Sequence, residues 1–414
     1  MPKISKRGEL LPESAIRKLV PYSEKAKALG RKVYHLNIGQ PDIKTPPHAI
    51  ERIRNYDFEL IPYGHSFGND SYRNKLAQYY RDRNLEVDAG EILITTGGSE
   101  AISFAFMVCF NPGDEVIVPE PFYANYLSFA IATDVVIRPI TSTIENGFKL
   151  PPIDEFEKLI NPRTKAIFIC NPNNPTGYVY TKQELEKLSK LIIKYDLYLI
   201  ADEVYSEFVY DGKMHHSVLE LEGIGENVIM IDSVSKRFSA CGIRIGSIVS
   251  KNKLIIKSIL KLAMARLCPP MLGQVVAEAA VDSPPEYMEA VYKEYLNRRN
   301  YFINALNEIP GVYSPMPMGA FYSIVRLPID DSDKFCQWML EEFEYQNETV
   351  MMAPASGFYS TEGIGKNEVR VAYVLNIEDL THAVECLKMA LRVYPGRTCQ
   401  FENSTVLQFG DSSI

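Results

Sequence analysis

Five short apolar runs punctuate the chain, at residues 91–96 (EILITT), 115–118 (EVIV), 165–170 (KAIFIC), 197–201 (LYLIA) and 228–231 (VIMI). Four of them break off into loops rich in Gly, Pro, Asn or Ser, and the run 197–201 breaks off into Asp202-Glu203-Val204-Tyr205. Runs of this length, dense in Val and Ile, read as strands buried on both faces. Between two of them, Thr181-Lys-Gln-Glu184 has the form of a capping box, and Leu185, Leu188, Leu191 and Ile192 then share one helical face. Strands alternating with amphipathic helices predict an α/β chain built on a mostly parallel sheet. Ligands of such sheets bind beyond the carboxyl ends of the strands. The loops leaving Thr96, Pro119, Asn171, Asp202 and Ser233 should therefore meet in one crevice.

The last of these loops says most about chemistry. In NVIMIDSVSKRFSACGIRIG (227–246), Lys236 stands between Ser235 and Arg237, with Ser233 before it and Arg244 and Gly246 after it. Two hydroxyls and a guanidinium around an amine can hold a phosphate beside a nucleophilic nitrogen. An amine set among cations or removed from water becomes a good nucleophile, and its best-known product is a Schiff base with a carbonyl. A phosphate beside a Schiff-base aldehyde describes pyridoxal phosphate.

The other loops carry compatible parts. Gly97-Gly98-Ser99-Glu100 opens a helix directly after a strand, which aims free amides and the positive end of the helix dipole at one spot. Asn171-Pro-Asn-Asn-Pro-Thr-Gly177 demands a rigid, specifically shaped loop. Asp202 ends an apolar strand and needs a cation or donors to stay ionised; Tyr205 follows it. Upstream lie a strand over 33–38 that runs into Gly39-Gln40-Pro41-Asp42, the tripeptide Tyr63-Gly64-His65, and Tyr123 in a proline-rich strand exit. Downstream, Arg370 sits among valines in EVRVAY, where a bidentate clamp on a carboxylate is its strongest partner.

In position as well as identity, these segments resemble the class I/II aminotransferases of the pyridoxal-phosphate fold type I superfamily, aspartate aminotransferase-like. The lysine signature SVSKRFSACGIRIG spans 233–246, and the likeness runs from about Leu11 to Tyr394. It implies a three-layer α/β large domain over 47–300, a smaller α+β domain from 1–46 and 301–395, and a polar tail over 396–414. It further implies pyridoxal 5'-phosphate carried on Lys236, with Asp202 at the pyridine nitrogen and Tyr123 flat on the ring. Asn174 and Tyr205 would meet the phenolic oxygen. Gly98, Ser99, Glu100, Ser233, Ser235 and Arg244 would hold the phosphate, Glu100 through its amide because its carboxylate would repel an anion.

For the substrate, the resemblance sets Gly39 and Asn174 beside the amino acid and Arg370 on its α-carboxylate. Tyr63 would reach across a homodimer to the neighbour's phosphate. Some members of the family read a second substrate carboxylate with a lysine on the helix after the phosphate loop, and others with an arginine of the partner subunit; residues 99–110 contain no Lys or Arg, so the resemblance implies the second device, with Arg266 in that role. The implied activity is ping-pong transfer of an amino group between an L-amino acid, aspartate- or glutamate-like, and a 2-oxo acid such as 2-oxoglutarate. An aromatic or neutral amino acid aminotransferase shares the residue set, as does a carbon-sulfur lyase or an aminocyclopropane-carboxylate synthase.

Composition narrows the partners. A net charge of -8 over 414 residues argues against nucleic acid and anionic membrane surfaces. The N-terminal MPKISKRGELLPES lacks the apolar run of a signal peptide, and no apolar stretch approaches the ~20 residues that span a bilayer. The 7 cysteines are dispersed without CxxC spacing, as free thiols of a cytoplasmic protein are. The 6 histidines offer no metal spacing. Helices are expected over 13–29, after Pro285 and over 332–343, and a strand over 319–323.

Overall fold

The first strand, β1 (Lys32–His35), lies outside the sheet that the apolar runs build. That sheet has seven strands: β2 (Ile92–Thr95), β3 (Glu115–Glu120), β4 (Val136–Thr141), β5 (Thr164–Cys170), β6 (Tyr198–Asp202), β7 (Val228–Ser233) and β8 (Gly246–Val249). Their spatial order is β2-β8-β7-β6-β5-β3-β4. Strand β8 is antiparallel to both neighbours, and the remaining pairings are parallel. The computed structural model describes residues 2–57 and 59–398.

Period-two alternation sends successive side chains into two cores. Ala166, Phe168 and Cys170 of β5 enter one, while Ile167 and Ile169 enter the other. Strand β7 divides in the same way, Ile229 and Ile231 against Val228 and Met230. Helices Gly97–Cys109 and Lys253–Arg266 cover the first face; Asp70–Arg81, Lys182–Tyr195 and Met271–Val281 cover the second. The result is three layers. Helix Lys182–Tyr195 begins with the expected capping box, where Thr181 N donates to Glu184 Oε2 at 2.8 Å and Glu184 N to Thr181 Oγ1 at 3.2 Å. Such a cap is worth about 1 kcal/mol. Fully buried Leu185, Leu188 and Ile192 each contribute roughly 1.5–3 kcal/mol, so packing holds this helix in place.

The remaining strands are β9 (Tyr322–Arg326), β10 (Glu348–Met351), β11 (Ala353–Pro354) and β12 (Glu368–Ala372). They form an antiparallel β11-β12-β9 sheet, while β10 pairs in parallel with β1. Helix Pro285–Asn307 buries Val291, Tyr295, Phe302 and Leu306 in a core that also holds Val325 and Val369, joining the large sheet to the small one.

Two local expectations are corrected. The helix expected over 13–29 starts at Val20, after a run of turns, with Pro21 in its first turn. Proline has no N–H to donate and clashes with the carbonyl four residues back, so a helix cannot run through it. The strand expected over 319–323 is Tyr322–Arg326; Gly319 is packed so closely that a Cβ would lie 2.7 Å from Phe208 O, and Ala320 has φ +55°. The polar tail is pinned at its start, where Asp330 N donates to Gly396 O and Thr398 N to Pro328 O. Its remainder, with Cys399, lies outside the described residues. Among those residues, no helix is long and apolar enough to cross a membrane, and no cluster of His, Cys, Asp or Glu could hold a metal.

Candidate active site

A cavity of about 820 Å³ opens beyond the carboxyl ends of β2, β3, β5, β6 and β7. Its walls include Gly98 and Ser99 after β2, Tyr123 after β3, Asn174 after β5, Asp202 and Tyr205 at β6, and Ser233, Ser235 and Lys236 at β7. Gly39, Arg244 and Arg370 complete the set, so the structure brings most of the candidate residues to one place.

One end is shaped for an anion. Gly97 takes φ +78°, and a Cβ on it would lie 2.4 Å from Arg244 Nη2. A Cβ on Gly246 would lie 2.6 Å from the Gly97 carbonyl carbon, so two backbones close on each other where side chains cannot intervene. Around this turn stand the first amides of helix Gly97–Cys109, the Ser233 and Ser235 hydroxyls, which are linked at 2.9 Å, and Arg244. The Glu100 carboxylate turns back from the cavity, accepting from Thr96 N at 2.8 Å and from Arg266 Nη1 at 2.9 Å. Arg266 also reaches Thr96 Oγ1, Ser66 O and Ile94 O, and its remaining nitrogen, Nε, is buried. Within its own chain Arg266 therefore braces the glycine turn, holding Glu100 and the backbone on either side of it.

Asp202 marks the other end. Its Oδ2 accepts from Tyr126 Oη at 2.6 Å, and Oδ1 accepts only a long 3.4 Å contact from Val204 N. Burial pushes this carboxyl up to about 6, against the opposing pull of the Tyr126 hydrogen bond. A buried carboxylate with one weakly engaged oxygen facing a cavity suits a cationic N–H partner. Above it, Asn174 Nδ2 donates to Tyr205 Oη at 3.3 Å, and Tyr205 Oη lies 3.2 Å from Tyr322 Oη.

Lys236 and Arg237 share the short helix Val234–Arg237 and point apart. Lys236 Nζ donates to Gly39 O at 2.9 Å across the cavity. Arg237 is buried, donates to Asp232 Oδ1 at 2.6 Å and lies over the Tyr79 ring at 4.4 Å. Tyr80 Oη donates to the same carboxylate at 2.8 Å. Such a charge cluster is tolerable inside because each charged group has a partner.

Arg370 comes from β12 of the small sheet. It is 1% exposed, donates to Asn174 Oδ1 at 3.2 Å and to Asn37 O, and leaves Nε without a partner. Burial lowers its pKa without neutralising it. An incompletely satisfied buried guanidinium beside a cavity is suited to an incoming carboxylate. Gly39 proves to be a point of close approach, since a Cβ would lie 1.8 Å from Tyr322 Oη.

Tyr63 stands apart from the cavity. It is 80% exposed and lines a second hollow with Ile61, Pro62, Cys268 and Met271. Sequence reasoning missed Tyr126, Tyr322 and Arg17, all close to the reacting region. Tyr126 had a signal in its placement three residues after Tyr123, on the same strand exit. Tyr322 and Arg17 had none.

The chain is 32% identical over 400 residues to an aspartate aminotransferase of Bacillus subtilis, covering 93% of this chain and 98% of the relative. It is 30% identical over 396 residues to an aromatic-amino-acid aminotransferase of Thermococcus litoralis, covering 94% and 98%. An aspartate aminotransferase structure from Thermotoga maritima superposes with a TM-score of 0.85 at 28% identity, covering 93% of this chain and 99% of that one. Residues 31–387 match the family model for aminotransferase class I and II. The chain is a member of that family and an aminotransferase.

Proposed function

We propose that this aminotransferase uses pyridoxal 5'-phosphate, held on Lys236, to move an amino group between an L-amino acid and a 2-oxo acid such as 2-oxoglutarate by a ping-pong mechanism. The observation that carries this reading is the common exposure of Lys236, Asp202, Arg244 and Arg370 in one cavity. The donor set fits the cofactor part by part. The glycine turn, Ser233, Ser235 and Arg244 suit its phosphate, and Asp202, short of a cation, suits a protonated ring nitrogen. Tyr123 borders the space for the ring, and Asn174 and Tyr205 offer donors to its phenolic oxygen. Bound there, pyridoxal phosphate supplies the electron sink that allows the substrate's α-C–H bond to break.

The residues do the rest. Arg370 fixes the α-carboxylate and thereby the direction of the α-hydrogen. The Lys236 amine takes that proton and returns it, as general base and then general acid. Asp202 keeps the proton on the ring nitrogen. Substrates resembling aspartate or glutamate are favoured, in keeping with the aspartate aminotransferases among the relatives.

The same reading makes the enzyme a homodimer with shared sites. Leu60, Ile61 and Tyr63 form an exposed apolar strip at 75%, 57% and 80%, which suits a partner subunit better than water. Free cysteines suit a cytoplasmic setting. Borohydride reduction followed by peptide mapping tests the assignment: the cofactor label should be recovered on Lys236, and Lys236→Ala should bind cofactor while losing at least about a thousandfold in turnover. Label on another lysine would overturn it.

A further inference from the structure

Ser233, Ser235 and Lys236 all face the cavity from one short loop, and the loop has a charged residue at each end: Asp232 before it and Arg237 after it. The two ends meet. Arg237 Nη2 donates to both oxygens of Asp232, to Oδ1 at 2.6 Å. The ion pair therefore closes a ring over residues 232–237, and every group that this loop offers the cavity lies inside the ring.

The pair sits behind the loop. By the alternation of β7, Asp232 falls on the face of Val228 and Met230, while the Lys236 amine crosses the cavity to Gly39 O. Asp232 Oδ1 also accepts from Ser233 N at 2.7 Å, and Oδ2 from Tyr80 Oη at 2.8 Å. One carboxylate thus holds the start of the loop, its end and the neighbouring helix Asp70–Arg81. Arg237 is held in turn over the Tyr79 ring at 4.4 Å, and the same ring carries Arg83 at 3.6 Å.

Stability does not account for this arrangement. Both charges are buried, and taking two ions out of water offsets most of what their attraction returns. The guanidinium bonds through Nη2 alone; its Nε and Nη1 are buried without a hydrogen-bond partner. A pair so incompletely satisfied adds little to the folded state over neutral groups of similar shape. What it supplies is a fixed geometry. Lys236 rides on the helix Val234–Arg237, which is a single turn, and an isolated turn does not hold its own conformation.

Resting on the aminotransferase reading above, we propose that Asp232 and Arg237 are the positioning residues of Lys236. Their ion pair locks the one-turn helix from behind, so that the amine is presented to the cofactor and to the substrate's α-hydrogen at one place. Loosening the lock leaves Arg370, which is mounted on the small sheet, where it is. The chemical step then suffers while substrate seating does not, and a misplacement of about 1 Å costs up to about a hundredfold in such a step.

The test uses the double variant Asp232→Asn/Arg237→Met, which removes both charges together and keeps an acceptor for Ser233 N and Tyr80. Arg237→Lys is the conservative variant. Three quantities are read: the urea midpoint of the cofactor-free protein; the rate at which added pyridoxal phosphate becomes attached to Lys236 in that protein, trapped with borohydride; and, after loading, kcat per bound cofactor and KM with the best amino donor. The double variant should keep a urea midpoint close to wild type and a KM within about twofold, while the attachment rate and kcat per bound cofactor each fall about ten- to hundredfold. Arg237→Lys, which keeps the charge without the fork, should recover part of both. An unchanged attachment rate with unchanged kcat per bound cofactor overturns the assignment. So does a double variant that fails to fold, or one whose activity falls only with the amount of cofactor it holds, since either makes the pair structural. If wild type itself takes no label on Lys236, the proposed function fails and this inference with it, an outcome seen without any variant.

Discussion

The Tyr126 hydroxyl donates a 2.6 Å hydrogen bond to Asp202 Oδ2, and both groups are buried. This bond stabilises the ionised carboxyl against burial, which alone would push it further above the usual carboxylate range. Tyr126→Phe removes the donor and keeps the ring. In the cofactor-free protein the Asp202 pKa should rise from its value of about 6, and the acid limb of the pH profile for cofactor binding should move up by about one pH unit. Cofactor affinity at pH 9 should change far less than affinity at pH 6.5. A profile that drops uniformly without shifting would refute this role for Tyr126.

Glu203, next in sequence, is pushed higher still by burial. It is 2% exposed, accepts from Val218 N at 2.8 Å, and has His215 Nε2 at 3.7 Å. Burial pushes its carboxyl up to about 8 and pushes His215 down to about 4, so the imidazole supplies no charge at neutral pH. A carboxyl whose folded pKa exceeds its unfolded value favours folding below the unfolded value, and that contribution is lost as pH rises through the folded one. The loss here runs from about pH 4.5 to about pH 8. Glu203→Gln imitates the protonated form and should add about 1–3 kcal/mol of stability at pH 8 while changing little at pH 4.5. Urea midpoints at the two pH values measure it; a variant destabilised equally at both would count against the account.

Sharing of sites across a homodimer predicts complementation. In a mixed dimer of Tyr63→Ala and Lys236→Ala subunits, one site has its own Lys236 and the partner's intact tyrosine. Random reassociation should restore up to about a quarter of wild-type activity, since about half the dimers are mixed and each has one whole site. Failure of recovery after demonstrated subunit exchange would exclude a role for Tyr63 in the neighbour's site.

Arg266→Ala separates bracing from substrate reading. Removing it leaves Glu100 without its cation beside the glycine turn, at a cost of roughly 1–3 kcal/mol. Cofactor should dissociate more readily, and kcat/KM for aspartate and for phenylalanine should fall together. Selective loss on aspartate would reinstate Arg266 as a substrate contact.

Much of the site was legible because strand exits are strongly marked. A run such as AIFIC can go nowhere but a buried strand, and NPNNPTG can go nowhere but a rigid turn, so Asn174 was placed by both neighbours. Elements with mixed polarity escaped: β4 reads VIRPIT and β10 reads ETVM, neither with a clean alternation. Tyr126 and Tyr322 look like core aromatics in sequence, and their roles lie in what their hydroxyls meet, which depends on segments 76 and 283 residues away. For Arg266 the sequence neighbourhood suggests an interface, and the ion pair with Glu100, 166 positions earlier in the chain, is invisible there.

The attachment of the N-terminal segment has a consequence for altering this enzyme. The reacting groups hang from the large sheet, whereas Ile16, Asn37 and Arg370 are tied to one another beside the small one. The group that seats the substrate and the group that moves its proton are therefore separately mounted. Exchanging residues 14–19 with those of a relative should shift how Arg370 is seated while leaving Lys236 and Asp202 where they are, a graft of six residues in place of a redesigned pocket.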